Sequence, residues 1–543
     1  MTLNFTPEQQ EAIYHSGNMV ITACPGSGKT TVVVEKIRRS LPELKNYQGV
    51  IAMTFTVKAS EELKSRCRRN ALDIKQSFFG TIDSFCLKEV IFPFISRVWG
   101  VIGSDIEVIY NDGLTEDDRE KYNSLISKSL LTDDLHGETL SLLRDLYNKG
   151  FILMSSVGLI ANYVLEQSIS CKKYLSVKYK NVYVDEYQDS SEPQHKLFLK
   201  LVELGIVGVS VGDEEQSIYE FRGGDSKGMD ELKNNIPGFK CFDMSLNHRC
   251  HPSISNYARR LFKEDCDLVD EEDIRVYQYT IEGTQTNIAK KISSWIESIK
   301  SSFHVDSNME IAILVRNNYT LKNVSKGLSV AHRIYEDNPF AISNDIFSKL
   351  FTGLLHYRYN PTINSQDVIS EHIASNFTEK KCKEIRRSIK TARVALDKDV
   401  LACFQSISIC IYGVEAPTNI VKILNLILSD HSIRKQFEIK NKNEIQLMTL
   451  HKAKGLEFDV VFHLDLYEWV FPRREFTGNF DDPPSYPTWK QELDLHYVGV
   501  TRARKLCVLM TSTSRIKSDD THKKGDPSKF MTLPGLSGIF IKK

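Results

Sequence analysis

A lysine preceded by two glycines and followed by a hydroxyl residue, Gly26-Ser27-Gly28-Lys29-Thr30, follows the apolar run "MVITA" and opens a helix-forming run. Glycines at 26 and 28 let the backbone close around a phosphate, so that N–H groups and a helix N-terminus face the anion. In that arrangement Lys29 reaches the β- and γ-phosphates and Thr30 offers its hydroxyl to Mg²⁺. Ala23 stands where the general pattern has its first glycine, while the strand–loop–helix context is kept. Ala23, Cys24, Pro25, Gly26, Ser27, Gly28, Lys29, Thr30 and Thr31 thus form a candidate nucleotide-binding loop.

A second chemical pair ends a strand in "VYVDEYQDSS". Asp185 at the strand tip can hold Mg²⁺, and Glu186 beside it can take a proton from an attacking water. Acidic strand ends also serve as plain helix caps, so the pair gains its meaning from the phosphate loop upstream. A third run, "VGDEEQSIYEFRGG", puts Gln216 just past a strand tip as a polar sensor, followed by Tyr219, Phe221 and Arg222. Aromatic rings stack on bases at about 1–3 kcal/mol each with little regard for sequence. The alternative for Tyr219 and Phe221 is a place in the core.

These residues need a scaffold that brings distant strand ends together. In the first half "NMVITA", "GVIAMTF", "NVYVDE" and "GIVGVSVGD" read as buried parallel strands with helices between them. In the second half "EIAILVRN", "EIQLMTL", "DVVFHLDL" and "KLCVLMTS" read the same way. The expected fold is α/β, with two parallel-sheet phosphate-loop lobes that each carry an inserted helical subdomain. One lobe takes residues 1–91 and 181–245 with insertion 92–180; the other takes 246–350 and 444–543 with insertion 351–443. Within the second insertion "NIVKILNLILSDHSIRKQF" reads as helix, with Thr418 or Asn419 as its N-cap.

Composition agrees with such a chain. At 543 residues it exceeds one core, given about 150 residues per domain. Hydrophobic residues at 41% and charged residues at 26% exclude a disordered or collagen-like protein. Seventy basic residues balance seventy acidic ones, so net charge does not bear on a polyanionic partner. Eleven cysteines without a CxxC pair or a Cys/His array argue against zinc, iron–sulfur and secreted disulfide frameworks. The N-terminal "MTLNFTPEQQ" has no signal-peptide pattern and no apolar run spans a bilayer, so a cytoplasmic protein without membrane association is expected.

Ten blocks occur in order from Phe5 to Lys505: "FTPEQQEAI", "ACPGSGKTT", "AMTFTVKASEELKSR", "GTIDSF", "VDEYQDSSEPQ", "VGDEEQSIYEFRGG", "LNHRCHPSI", "AILVRNN", "LMTLHKAKGLEFDVVF" and "ELDLHYVGVTRARK". Together they resemble the UvrD/Rep/PcrA family of superfamily 1 helicases. That resemblance implies two RecA-like lobes, ATP and Mg²⁺ as cofactors, and movement 3′ to 5′ on single-stranded DNA or at single-strand/duplex junctions. It implies Gln9 as the adenine-reading amide, Lys29 and Thr30 as phosphate and Mg²⁺ ligands, and Asp185 and Glu186 as metal carboxylate and catalytic base. It also implies Gln216 as γ-phosphate sensor, Arg249 and Arg502 from the second lobe as γ-phosphate arginines, and Glu457 near the ribose. Strand contacts would come from Thr54, Phe55, Lys58, Thr81, Ser84, Tyr219, Phe221, Thr449, His451 and Lys454.

Some positions depart from the family pattern. His248 stands where relatives carry an adenine-stacking tyrosine, and Asp83 where they carry a DNA-contacting histidine. Arg504 gains no role from the comparison and is expected at the surface. The basic run "EKKCKEIRRSIKTAR", which includes Arg393, is either a duplex or partner surface or a solvated helix face. A compact chain without its own nuclease is similar to helicases encoded beside a separate nuclease in anti-phage systems of the Gabija type. Two other readings stay open: a DNA-activated NTPase with little unwinding, and a nucleotide-switched assembly or signalling module. The stacking chemistry also admits RNA or hybrid strands.

Overall fold

The computed structural model describes residues 5–69, 72–111, 114–127, 129–218, 227–336, 338–341, 345–372, 378–478 and 483–543. Met1–Cys250 with Lys490–Tyr497 form one compact unit, and His251–Trp489 with Val498–Lys543 form another.

In the first unit the strands are β1 Met19–Ala23, β2 Gly49–Thr54, β3 Phe78–Thr81, β4 Glu107–Ile109, β5 Phe151–Leu153, β6 Tyr179–Asp185, β7 Val207–Gly212 and β8 Lys240–Met244. Six of them make a parallel sheet in the order β3-β2-β6-β7-β1-β8, and β4 pairs with β5 apart from it. Side chains of a strand alternate between the faces of its sheet. Val20, Ile51 and Met53 therefore face one core, while Ile21, Val50 and Ala52 face the other. The second core is closed by α1 (Pro7–Tyr14), α2 (Lys29–Ser40) and α3 (Val57–Cys67) through Ala12, Val33, Ile37 and Leu63. The first is closed by the helical segment that precedes β6, whose Phe94, Ile95, Trp99, Ile160 and Val164 join the sheet residues directly.

The second unit contains β9 Val276–Ile281, β10 Ile311–Val315, β11 His332–Tyr335, β12 Ile445–Thr449, β13 Phe458–His463, β14 Ala503–Ser512, the hairpin strands β15 Ser514–Ile516 and β16 His522–Lys524, and β17 Ile541–Lys542. Seven form a parallel sheet in the order β11-β12-β10-β13-β14-β9-β17. Helices Gln285–Ser302 and Asn318–Gly327 cover it through Ile288, Ile292, Leu321 and Val324. The helices between Ile346 and Lys435 behave differently, because their core of Phe351, Leu354, Phe404, Ile420 and Leu424 contains no strand residue.

Three local expectations change. The run after Pro417 is two helices, Thr418–Ser429 and His431–Lys435. The N-cap of the first is Pro417, whose ring presets φ at −60°, so Thr418 is already helical. Asp430 divides the two by accepting from the Ser432 N–H at 2.8 Å. In the basic helix Glu379–Val394, Arg393 turns inward and donates to the carbonyls of Tyr357 and Ile363, whereas Lys380, Lys381, Lys383, Arg386, Arg387 and Lys390 stay exposed.

Candidate active site

All six strands of the first sheet run the same way, so their carboxyl ends share one edge, where ligands of open α/β sheets bind. The phosphate loop leaves β1, the carboxylates leave β6, and the Asp213–Gln216 segment leaves β7. These strands are neighbours, with Asp185 paired to Val211 and Thr22 to Gly212.

Gly26 has φ +73° and Gly28 has φ +82°. A Cβ on Gly26 would lie 2.4 Å from Arg249 Cβ, so glycine is needed there for both conformation and close approach. Gly28 is the N-cap of α2 and brings no side chain to bond the first-turn N–H groups, which leaves that helix end to an anion. The Ser27 hydroxyl is buried without a hydrogen-bond partner among the described residues. Thr30 Oγ1 lies 3.0 Å from Asp185 Oδ2, and a hydroxyl beside a carboxylate is the hard oxygen pair that suits Mg²⁺. These features fit a Mg²⁺-nucleotide. The Thr31 hydroxyl accepts from Arg66 Nη2 at 2.8 Å.

Lys29 Nζ donates to Glu186 Oε2 at 2.7 Å. Burial disfavours the Lys29 ammonium, but the charges of Glu186, Asp185 and Asp213 outweigh it and hold its pKa above the ordinary value. Burial, aided by the neighbouring Glu186 charge, pushes Asp185 up to about 6; burial, with a smaller push from the same Glu186 charge, does the same to Asp213 against the opposing Lys29 and the hydrogen bond from Gln216. Glu186 sits at φ +58°, a left-handed conformation that costs a non-glycine residue on the order of 1 kcal/mol and persists where surrounding contacts enforce it. Its N–H donates to Asp185 Oδ1, and its Oε2 also accepts from Gln188 Nε2 at 2.8 Å.

Gln216 is buried and donates through Nε2 to Asp213 Oδ2 at 2.6 Å. Asp213 and Gln188 are polar groups of this site that sequence reasoning missed. Their signal was modest: each is a polar residue just past an apolar strand. Gln9 caps α1 by accepting from the Thr6 N–H, and its Nε2 donates to the Ser27 carbonyl at 2.8 Å. An amide has two donors and two lone pairs, so one of each is left for a base.

The Asn247–Cys250 segment lies against the phosphate loop, with the His248 N–H donating to the Gly26 carbonyl at 3.1 Å. Asn247 Oδ1 shapes it by accepting from the N–H groups of Arg249 and Cys250. Arg249, expected from the second lobe, thus belongs to the first unit, and His248 is exposed. Arg502, in the second unit, is buried, with Nε donating to the Val498 carbonyl and Nη1 to that of Leu456. Arg504 is no plain surface residue. It joins Glu310, Glu457 and Asp459 in one ionic cluster, which also places the Glu457 carboxylate against a guanidinium.

Among the expected strand contacts, Phe55 is half-buried and Lys58 exposed, while the Thr54 hydroxyl donates to the Thr56 carbonyl. Thr81 Oγ1 accepts from the Ser84 N–H and caps the short helix there. Thr449 is buried at the end of β12, with His451 and Lys454 half-buried beyond it. Tyr219 and Phe221 lie outside the described residues. Asp83 accepts from Gln194 Nε2 at 2.9 Å, so its carboxylate is tied to its own unit.

Residues 5–95 and 105–237 match the family model of the UvrD/REP helicase N-terminal domain, and residues 345–514 match that of the UvrD-like helicase C-terminal domain. The chain is 26% identical over 531 residues to Gabija protein GajB of Bacillus cereus, covering 92% of this chain and 94% of that protein. It is 24% identical over 641 residues to ATP-dependent DNA helicase Rep of Buchnera aphidicola subsp. Schizaphis graminum, covering 95% and 94%. It is 23% identical over 642 residues to ATP-dependent DNA helicase PcrA of Staphylococcus epidermidis, covering 97% and 86%. With both family models matched in order, and nucleotide chemistry gathered at one sheet edge, the chain belongs to the UvrD-like helicase family.

Proposed function

We propose that the protein is an ATP-dependent DNA helicase that moves 3′ to 5′ on single-stranded DNA by coupling hydrolysis to closure of its two sheet lobes. The observation that carries this reading is the convergence of Lys29, Thr30, Asp185, Glu186 and Gln216 at the carboxyl edge of the first sheet. When bound, Mg²⁺ neutralises charge on the nucleotide phosphates, held by Thr30 and Asp185. Lys29 then leaves Glu186 for the phosphates, and Glu186 accepts the proton of the attacking water. Gln216 reports the γ-phosphate, and Arg249 and Arg502 supply guanidiniums to the transition state, each such group being worth about 10³–10⁵ in rate. Thr54, Phe55, Lys58, Thr81, Ser84, Tyr219, Phe221, Thr449, His451 and Lys454 hold the strand. The setting is cytoplasmic; among the described residues no helix is long and apolar enough to cross a membrane.

The test compares duplexes with a 3′ or a 5′ single-stranded tail in the presence of ATP. Unwinding of the 3′-tailed substrate alone is expected. A second reading, a DNA-activated NTPase that regulates a separate nuclease in anti-phage defence, draws on the similarity to Gabija protein GajB over nearly the whole of both chains. DNA-stimulated hydrolysis with neither duplex unwound would favour it.

A further inference from the structure

Gln188 sits in the run "DEYQD", two residues after Glu186, and is fully buried. Its side-chain amide spans two strand ends. Nε2 donates to Glu186 Oε2 at 2.8 Å, while Oε1 accepts from the Asp213 N–H at 3.0 Å. Its backbone carbonyl accepts from Ser217 Oγ at 3.2 Å, and Ser217 stands two residues before Tyr219 in the sequence. A neutral amide can give a hydrogen bond to a carboxylate and take one from an N–H at the same time, which neither a carboxylate nor an ammonium can do. The packing is arranged around this group: a Cβ on Gly212, at the end of β7, would lie 2.4 Å from Gln188 Oε1.

We propose that Gln188 is a positioning residue for hydrolysis, holding Glu186 in register with the Asp213–Ser217 segment that carries Gln216. Lys29 and Gln188 bond the same oxygen of Glu186. When Lys29 turns to the nucleotide phosphates, Gln188 keeps its hold on that oxygen and preserves the left-handed backbone at Glu186. Through Asp213, which accepts from Gln216 Nε2, a shift at the sensor reaches the catalytic carboxylate without passing through the nucleotide. The segment leading to Tyr219 is fastened to the same residue through Ser217. The inference rests on the reading of the chain as an ATPase.

The test measures kcat and KM for ATP with single-stranded DNA, binding of a fluorescent non-hydrolysable ATP analogue, and the unfolding midpoint. It is run on the wild type, Gln188→Met and Gln188→Glu. Gln188→Met keeps the volume but has no N–H to give Glu186. Its kcat is expected to fall about 10- to 100-fold with KM and analogue binding within about threefold, because the base is misplaced and the binding loop is not. Gln188→Glu is expected to be as poor at pH 8, where two carboxylates face each other. It should recover relative to the wild type towards pH 6, where its protonated carboxyl donates as the amide does. A Gln188→Met kcat within twofold of the wild type overturns the proposal. So does a joint fall of kcat, analogue binding and unfolding midpoint with no pH difference between the variants, which is the signature of packing alone. Wild-type turnover reports on the ATPase reading and the variant-to-wild-type ratio on Gln188, so the two fail separately.

Discussion

Lys29 in the first unit and Arg502 in the second are both cations withdrawn from solvent, yet they are held by different chemistry. The Lys29 ammonium is 2.7 Å from the Glu186 carboxylate, with Asp185 and Asp213 adding to its charge environment. Arg502 Nε and Nη1 bond backbone carbonyls of Val498 and Leu456 at 3.0 and 3.2 Å, and Nη2 bonds the Thr501 hydroxyl at 3.3 Å. A carboxylate-held ammonium can exchange one anion for another, so a nucleotide phosphate can replace Glu186 with little change in its electrostatics. A guanidinium spread over backbone carbonyls also supports the local fold, and removing it leaves those carbonyls unsatisfied. Arg504, two residues on, shows a third arrangement in which one guanidinium gathers three carboxylates, so neighbouring arginines of one basic cluster serve separate ends.

The largest effect is expected at Lys29. Lys29→Ala should abolish hydrolysis in a steady-state assay with single-stranded DNA; retained DNA-stimulated turnover would overturn the site assignment. Arg502→Ala should come next, with turnover down about 10³-fold and nucleotide binding kept. It should also lower unfolding free energy by about 1–3 kcal/mol through the stranded carbonyls, and Arg502→Lys should restore neither. Urea unfolding measured beside ATPase activity checks both. A loss of stability with unchanged turnover would leave Arg502 as a part of the fold only.

A smaller effect concerns protons. Asp185 is held up at about 6 by burial, whereas an unfolded aspartate ionises near 4. Between those values the folded state binds the extra proton, so this group's contribution to stability falls as pH rises through that window. Metal binding has the opposite dependence, since the proton and Mg²⁺ compete for the carboxylate. The Mg²⁺ concentration for half-maximal activity should rise about tenfold per unit below pH 6. In Asp185→Asn, unfolding measured from pH 4 to 7 should lose this share of the pH dependence; an unchanged profile would remove Asp185 as its source. The smallest effect is at exposed His248 beside Gly26. His248→Tyr should raise the preference for ATP over GTP about 2- to 10-fold, the range of one added ring stack, in a competition assay. No change would discard base stacking at that position.

Strand legibility followed burial. The strands anticipated from apolar runs are central ones, such as β2 and β12, which are buried at every position. β3, β8 and β11 at the sheet margins were not anticipated, because an edge strand such as β8, exposed at Lys240, Cys241 and Asp243, carries too few apolar residues to stand out. The two helical segments look alike in sequence but pack differently, the first sharing a core with its sheet and the second closing its own.

By itself the sequence determined which residue types stand together as the candidate nucleotide site. Phosphate-loop chemistry needs particular residue types at short spacings, and short spacings survive in a one-dimensional reading. Lys29 and Thr30 next to a glycine turn, and Asp185 next to Glu186, are of that kind. Only the tertiary structure decided which groups touch across the strand ends: Lys29 with Glu186, Gln188 with Asp213, Gly26 with Arg249. It also decided that Arg504 belongs to a carboxylate cluster and Asp83 to Gln194. The physical reason is that strand order brings β1, β6 and β7 side by side although more than 150 residues separate Lys29 from Glu186. No local pattern encodes that adjacency, because it arises from burying both faces of one parallel sheet.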